Sequence, residues 1–382
     1  MGVWLLLALL LWRTTVPANL QVPRLDERQV FGAGLVHRAV RFERLLDWDW
    51  IAGTLAALTA YLAMARRGAL ASRLGLGPVN AGIVIGVVTF TLVWATTLPF
   101  ALVAVWWERR HGISRESYVQ AVTSAWGALL GRTLVAVVVL ALVLGLARQL
   151  GRSWWVAAGP AIAAILLVLQ LVAPYLLSAG TDPVRSTRLR GEIRALEQRE
   201  HAGRPPVRID DVSSRTRAAN AFSVGIGPTE RVILWNTLLD GRFTARQVRF
   251  VVGHELGHLA RNHILRGVGW FALLVLPVLL VTAYAADVRR PETVPLALLV
   301  IAVAQLAILP LQNAISRRFE READWIGLNG TRDPAAARGL FVGFVRTSLQ
   351  DPSPPGWVHV LLDNHPTPLQ RVELARAWRE RR

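Results

Sequence analysis

His254-Glu255-Leu256-Gly257-His258 combines two imidazoles and a carboxylate at the spacing of metal-assisted hydrolysis. On a helix, histidines four residues apart share one face about a turn from each other, so both can reach a single ion. Glu255 projects beside them, where it can take a proton from a water activated at that ion without binding the ion itself. Chance would supply this pattern in only about one chain of this length in a hundred, given ordinary His and Glu usage. Two solvated helix histidines are therefore the weaker reading.

A catalytic zinc needs three protein ligands and one open position. His263 follows His258 by five residues, not the six of the extended three-histidine pattern, and Arg261 stands where that pattern needs Gly. His263 is thus expected at an interface and not at the metal. The remaining source is a carboxylate on a second helix, and Ser316-Arg317-Arg318-Phe319-Glu320-Arg321-Glu322-Ala323-Asp324 offers three. Glu320 and Asp324, four apart, share a face, whereas Glu322 points roughly opposite. One of that pair can bind the ion while the other orients a ligand histidine or passes a proton.

The elements that must hold these groups are mostly apolar. In 382 residues, 53% are hydrophobic and 18% charged, too apolar for a set of soluble domains. Runs 81–107, 153–180, 267–286 and 293–316 lack Asp, Glu, Arg and His and are long enough to span a bilayer. Residues 45–65, with Asp47 and Asp49 at their start, and 133–147, between Arg132 and Arg148, are weaker spans, and 117–131 has the polarity of an interfacial segment. The run 2–12 is read as a first span in preference to a signal peptide, because no basic residue precedes it. The expectation is seven spans.

The soluble part then comprises residues 181–266 and 317–382. Residues 188–199 have helical apolar spacing, 221–235 form two short strands around Gly227-Pro228, and Thr244 caps a helix reaching His263. Two spans separate His258 from Glu320, and an even number of crossings returns the chain to the side it left. The two helices can therefore meet at one membrane surface.

All 43 basic residues are Arg, against 26 acidic ones, a net charge of +17. With seven spans, the far side holds only Arg66, Arg67, Arg73, Arg148, Arg152, Arg289 and Arg290. The charge rule then places the polar machinery in the cytoplasm, in a multi-pass protein of the inner or plasma membrane. That excess has a membrane cause, so no nucleic-acid partner is expected. With no Cys, disulfides, thiolate metal sites and Cys nucleophiles are excluded.

Several stretches together carry a resemblance. His254 to His258 with the later Glu320-Arg321-Glu322-Ala323-Asp324 resembles the integral-membrane zinc peptidases that comprise the type I CAAX prenyl proteases and the HtpX proteases. Glu108, Gly112, Ile113 and Ser114 resemble a loop of the CAAX branch. Asn220 to Leu239 resembles the substrate-side hairpin, with Asn236 where Asp is more usual, and His365-Pro366-Thr367 with Arg371 resembles the C-terminal signature. The resemblance implies a mainly α, polytopic membrane protein of about seven transmembrane helices with a gluzincin-like zinc peptidase domain containing a small β-hairpin or sheet.

It further implies His254, His258 and Glu320 as ligands of one zinc, and Glu255 as catalytic carboxylate. Asp324 would support a ligand or donate a proton, and His365 and Arg371 would stabilise the oxyanion. Asn220, Ala221 and Phe222 would hold the substrate backbone. The domain expectation is spans one to five in 1–180 with an interfacial segment near 108–131, peptidase segments in 181–266 and 317–382, and spans six and seven in 267–316. The function implied is a membrane zinc endopeptidase acting on a peptide or protein substrate, a membrane-associated one among the options, with HtpX-like quality control as the alternative. A transporter would place ionisable groups inside its spans, and the four clear spans have none. A silent scaffold would not need the full ligand set.

Overall fold

The structure, a computed structural model, describes residues 2–381. The chain opens with α1 (Gly2–Leu11), α2 (Glu27–Phe31) and α3 (Ala33–Arg66), followed by α4 (Pro78–Arg110), α5 (Tyr118–Leu150) and α6 (Trp154–Leu177). The central polar segment holds β1 (Asp182–Pro183), α7 (Thr187–Glu200), β2 (Val207–Asp210), β3 (Ala221–Val224), β4 (Arg231–Trp235) and α8 (Ala245–Ala260). Helices α9 (His263–Ala285) and α10 (Val294–Thr331) pack as a hairpin, and α11 (Pro334–Ser348), α12 (Gly356–Leu361) and α13 (Pro368–Glu380) complete the fold.

Among the described residues, four helical stretches are long and apolar enough to cross a membrane, Pro78–Arg110, Tyr118–Leu177, His263–Ala285 and Pro291–Thr331. The second contains both α5 and α6, joined by the 3-10 turn Gly151–Ser153. The expected count of seven is not confirmed by length and composition, for reasons visible in the elements. The ten residues of α1 extend only about 15 Å, half a hydrocarbon core. Residues 45–65 lie inside the 34-residue α3, whose length comes with many charges. The expected interfacial segment 117–131 and the span 133–147 are one continuous helix, α5, started by a capping box between Ser117 and Gln120.

The polar segment follows its local signals. Thr244 accepts from Gln247 N while the Gln247 side chain accepts from Thr244 N, which fixes the first turn of α8. Ser186 caps α7 with its side chain alone, accepting from Leu189 N. Strands β3 and β4 pair antiparallel with Phe222 opposite Ile233, forming the hairpin expected around Gly227-Pro228. The sequence did not reveal that β2 runs parallel to β4 and that β1 caps it, giving the order β1-β2-β4-β3 with β3 at an edge.

Side chains of β4 and α8, among them Val232, Leu234, Phe250, Val252 and Leu256, form a buried core with Leu328, Leu340 and Phe341. Its key crossing is between α8 and α10. There the space for a side chain vanishes: a Cβ on Gly257 would lie 3.3 Å from the Ala323 backbone, and one on Gly327 would lie 3.0 Å from His254 N. This close approach brings the histidines of α8 against the carboxylates of α10.

Candidate metal centre

His254 and His258 project from one face of α8, and their Nε2 atoms come within 3.1 Å of each other. From α10, Glu320 places Oε2 3.3 Å from His254 Nε2 and Oε1 3.3 Å from His258 Nε2. Bonds of about 2.05 Å at a tetrahedral zinc set its donors about 3.3 Å apart, so these separations suit one ion. A second sign is chemical. Glu320 Oε2 is buried and, despite its nearness to His254, makes no hydrogen bond among the described residues. Two ring nitrogens and a carboxylate converging on one point form a donor set for a divalent cation, and burial without a compensating charge is costly. His254 points the same way: burial pushes its pKa down, but the hydrogen bond to Asp324 and the negative charge of nearby Glu320 outweigh that and lift it to about 10, favouring positive charge at the ring.

The outer nitrogen of His254 is held. Its Nδ1 lies 2.9 Å from Asp324 Oδ1, and Asp324 in turn accepts two bonds from Arg371, Nε to Oδ2 at 2.8 Å and Nη2 to Oδ1 at 2.6 Å. The Arg371 guanidinium stacks 4.3 Å over the Phe341 ring. Arg371 thus commits its fork to Asp324, and its nearest approach to Glu320 is 3.9 Å. Glu255 is buried, and among the described residues its carboxylate has no protein hydrogen bond. It is therefore chemically uncommitted beside the donor set.

His258 has a brace of its own, which sequence reasoning missed. His263, expected at an interface, is buried with Nδ1 3.0 Å from His258 Nδ1 and Nε2 3.1 Å from Glu322 Oε2. Its ring stacks on Phe319 at 4.6 Å. Glu322 is fully buried and also accepts from Arg261 Nε, Arg266 Nη1 and Thr15 N. The turn between α8 and α9 explains this: Asn262, at φ 52°, folds the chain back so that His263 faces His258. The pair was visible in the sequence as two leftover ionisable groups beside the motif, but their facing directions were not.

The other expected site residues lie around this centre. His365 places Nε2 3.4 Å from Glu320 Oε1, with its side chain half exposed and its Nδ1 2.7 Å from Asn364 Oδ1. Asn220 shares a cavity of about 180 Å³ with His365 and Arg371, and its carbonyl accepts from Trp235 N. Ala221 and Phe222 begin the edge strand β3, and Phe222 borders a larger cavity, about 690 Å³, with Trp235 and Ile113. The loop after α4 joins that wall, since Arg115 N donates to Arg215 O and Arg217 N to Ile113 O. Asn236 accepts from Val212 N at 3.1 Å and so ties β4 to the loop after β2.

Comparison with known proteins places this arrangement among relatives. The profile described as peptidase family M48 matches residues 183–379. A Bacillus subtilis protein named as an uncharacterized metalloprotease, YhfN, is 28% identical over 59% of this chain and 56% of its own. A CAAX prenyl protease 1 homolog of Arabidopsis thaliana is 25% identical over 76% of this chain and 70% of its own. A protease HtpX homolog of Pseudarthrobacter chlorophenolicus is 29% identical over 43% of this chain. The alignment thus spans little more than half the length of the Bacillus relative. The crystal structure of S. mikatae Ste24p shares the fold with a TM-score of 0.76 across 98% of this chain and 96% of that one, at 16% identity.

Proposed function

The chain belongs to peptidase family M48, and from that premise we propose that it is a zinc-dependent endopeptidase of the membrane, resembling the CAAX proteases, with its site on the cytoplasmic side. The observation that carries this reading is the convergence of His254, His258 and Glu320 on one point beside an uncommitted Glu255. These three residues would hold the ion. When bound there, a divalent ion supplies Lewis acidity toward a peptide carbonyl and toward water.

The protein's own groups do the rest. Glu255 takes the proton of the attacking water and returns it to the leaving amide nitrogen. His365, half exposed and adjacent to Glu320, donates to the oxygen on which charge develops. Arg371 and Asp324 hold the His254 ring in one orientation, a positioning task that suits their bidentate bond better than direct oxyanion contact. The edge strand β3, beginning at Ala221 and Phe222 and preceded by Asn220, offers backbone groups to an extended peptide. Backbone pairing fixes the scissile bond while leaving side-chain choice permissive.

The alignment with a CAAX prenyl protease 1 homolog over 76% of this chain, against 43% for an HtpX homolog, supports a CAAX-protease-like substrate, a membrane-associated peptide or protein, over an HtpX-like one. The test is cleavage of a peptide by detergent-purified protein carrying Glu255→Gln. Removing a general base costs about 10²- to 10⁴-fold in rate. The expected outcome is that loss with bound zinc unchanged, and cleavage at the wild-type rate would remove Glu255 from its role.

A further inference from the structure

A cavity of about 510 Å³ opens beside the metal centre, between α10, α13 and the segment that links α1 to α2. Five arginines border it, Arg24, Arg317, Arg318, Arg321 and Arg371, against two carboxylates, Asp324 and Glu373. Both carboxylates are engaged already. Asp324 is taken by Arg371 and His254, and Glu373 accepts from Leu25 N at 2.9 Å. Among the described residues, Arg24, Arg317, Arg318 and Arg321 form no ion pair with any carboxylate. Arg317 and Arg318 donate instead to the carbonyls of His359 and Trp12, which offer no balancing charge.

Four guanidiniums without a direct ion pair crowd one concavity and keep spare donors, even with Asp363 and Glu322 in the vicinity of Arg317 and Arg318, and an anion with several oxygens would engage those donors. The position of the cavity says which anion. Trp12 follows the apolar α1, and Ala314 lies at the end of the apolar part of α10, just before Arg317 and Arg318. The Arg318 guanidinium sits 4.6 Å over the Trp12 ring, an arrangement suited to the headgroup level of a bilayer. From there α1 presents exposed Leu5, Leu6 and Leu9, a track for an acyl chain. We propose that this cavity binds the phosphate of an anionic phospholipid, with the acyl chains lying along α1. Because Asp324 and Arg371 form its inner wall, the bound headgroup abuts the brace of His254.

This site does not depend on the peptidase reading and is tested by binding. Delipidated full-length protein in a neutral detergent is titrated with short-chain phosphatidylglycerol or phosphatidylcholine, and bound lipid is counted by native mass spectrometry. The anionic phosphatidylglycerol is expected to bind more tightly than zwitterionic phosphatidylcholine and to be displaced by inorganic phosphate. The double variant Arg24→Gln, Arg318→Gln is expected to weaken it about tenfold or more, with bound metal unchanged. Arg24→Gln alone, in an exposed loop, gives a smaller loss and guards against misfolding of the double variant. Equal affinity for the two lipids, undiminished binding in both variants, or displacement by a peptide carboxylate but not by phosphate would overturn the proposal.

Discussion

Each histidine of the proposed metal site is held by a different acid. Asp324 engages the outer nitrogen of His254, and Glu322 reaches His258 through the intervening ring of His263. Outer-shell partners of this kind tune metal affinity about 10- to 100-fold. His263→Ala is therefore expected to lower zinc affinity by that factor in a chelator competition, while the pairing of Asp324 with Arg371 persists. Unchanged affinity would make His263 a packing residue. Glu200 poses a different question, because both its carboxylate oxygens are buried without hydrogen bonds, packed against Gly253 and Gly330. Burial raises its pKa from 4.5 to about 9, against the opposing pull of His254. The folded chain then keeps this proton while the unfolded chain releases it, so stability falls as pH rises through that window, by about 1.4 kcal/mol per unit. Thermal unfolding of metal-free protein between about pH 5 and 9 is expected to show this decline, and Glu200→Gln to flatten it. Among single residues, His254, His258 and Glu255 were legible in the sequence because spacing along one helix fixes their face. His263 and Glu322 were not, since the turn at Asn262 sets where His263 points.

At the scale of elements, the site exists because α8 and α10 cross closely enough for a histidine pair and a carboxylate to share one point. Gly257 and Gly327 permit that approach. Gly327→Leu would force side-chain atoms against the His254 backbone, costing about 1–3 kcal/mol if the helices stay packed. Its expected signature is a lower melting temperature together with lost zinc, and retention of both would show that the crossing is more forgiving than the contacts indicate. The cap of α8 and the β3–β4 hairpin were readable in advance, because Thr244 and the Gly227-Pro228 turn act locally. The parallel β2 strand was hidden, since four residues with mixed polarity carry no periodic signal and gain their place only from β4. For the same reason the boundary drawn at residue 316 vanished: α10 continues unbroken from apolar to charged composition.

For the whole molecule, the decisive feature is that the hairpin of α9 and α10 returns the chain to where α8 left it. The sequence carried this through parity alone, two apolar runs between His258 and Glu320. The total number of crossings was less legible, because hydropathy marks helices that can span but not how α1 and α3 lie. Both the chemistry and the topology meet in one quantity, the amount of metal bound per chain. Purified wild-type protein is expected to carry one zinc by elemental analysis, and Glu320→Ala to lose it at chelator concentrations that leave the wild type loaded. One zinc per chain retained at undiminished affinity in Glu320→Ala would contradict the assignment of this carboxylate and the meeting of the two helices around a single ion.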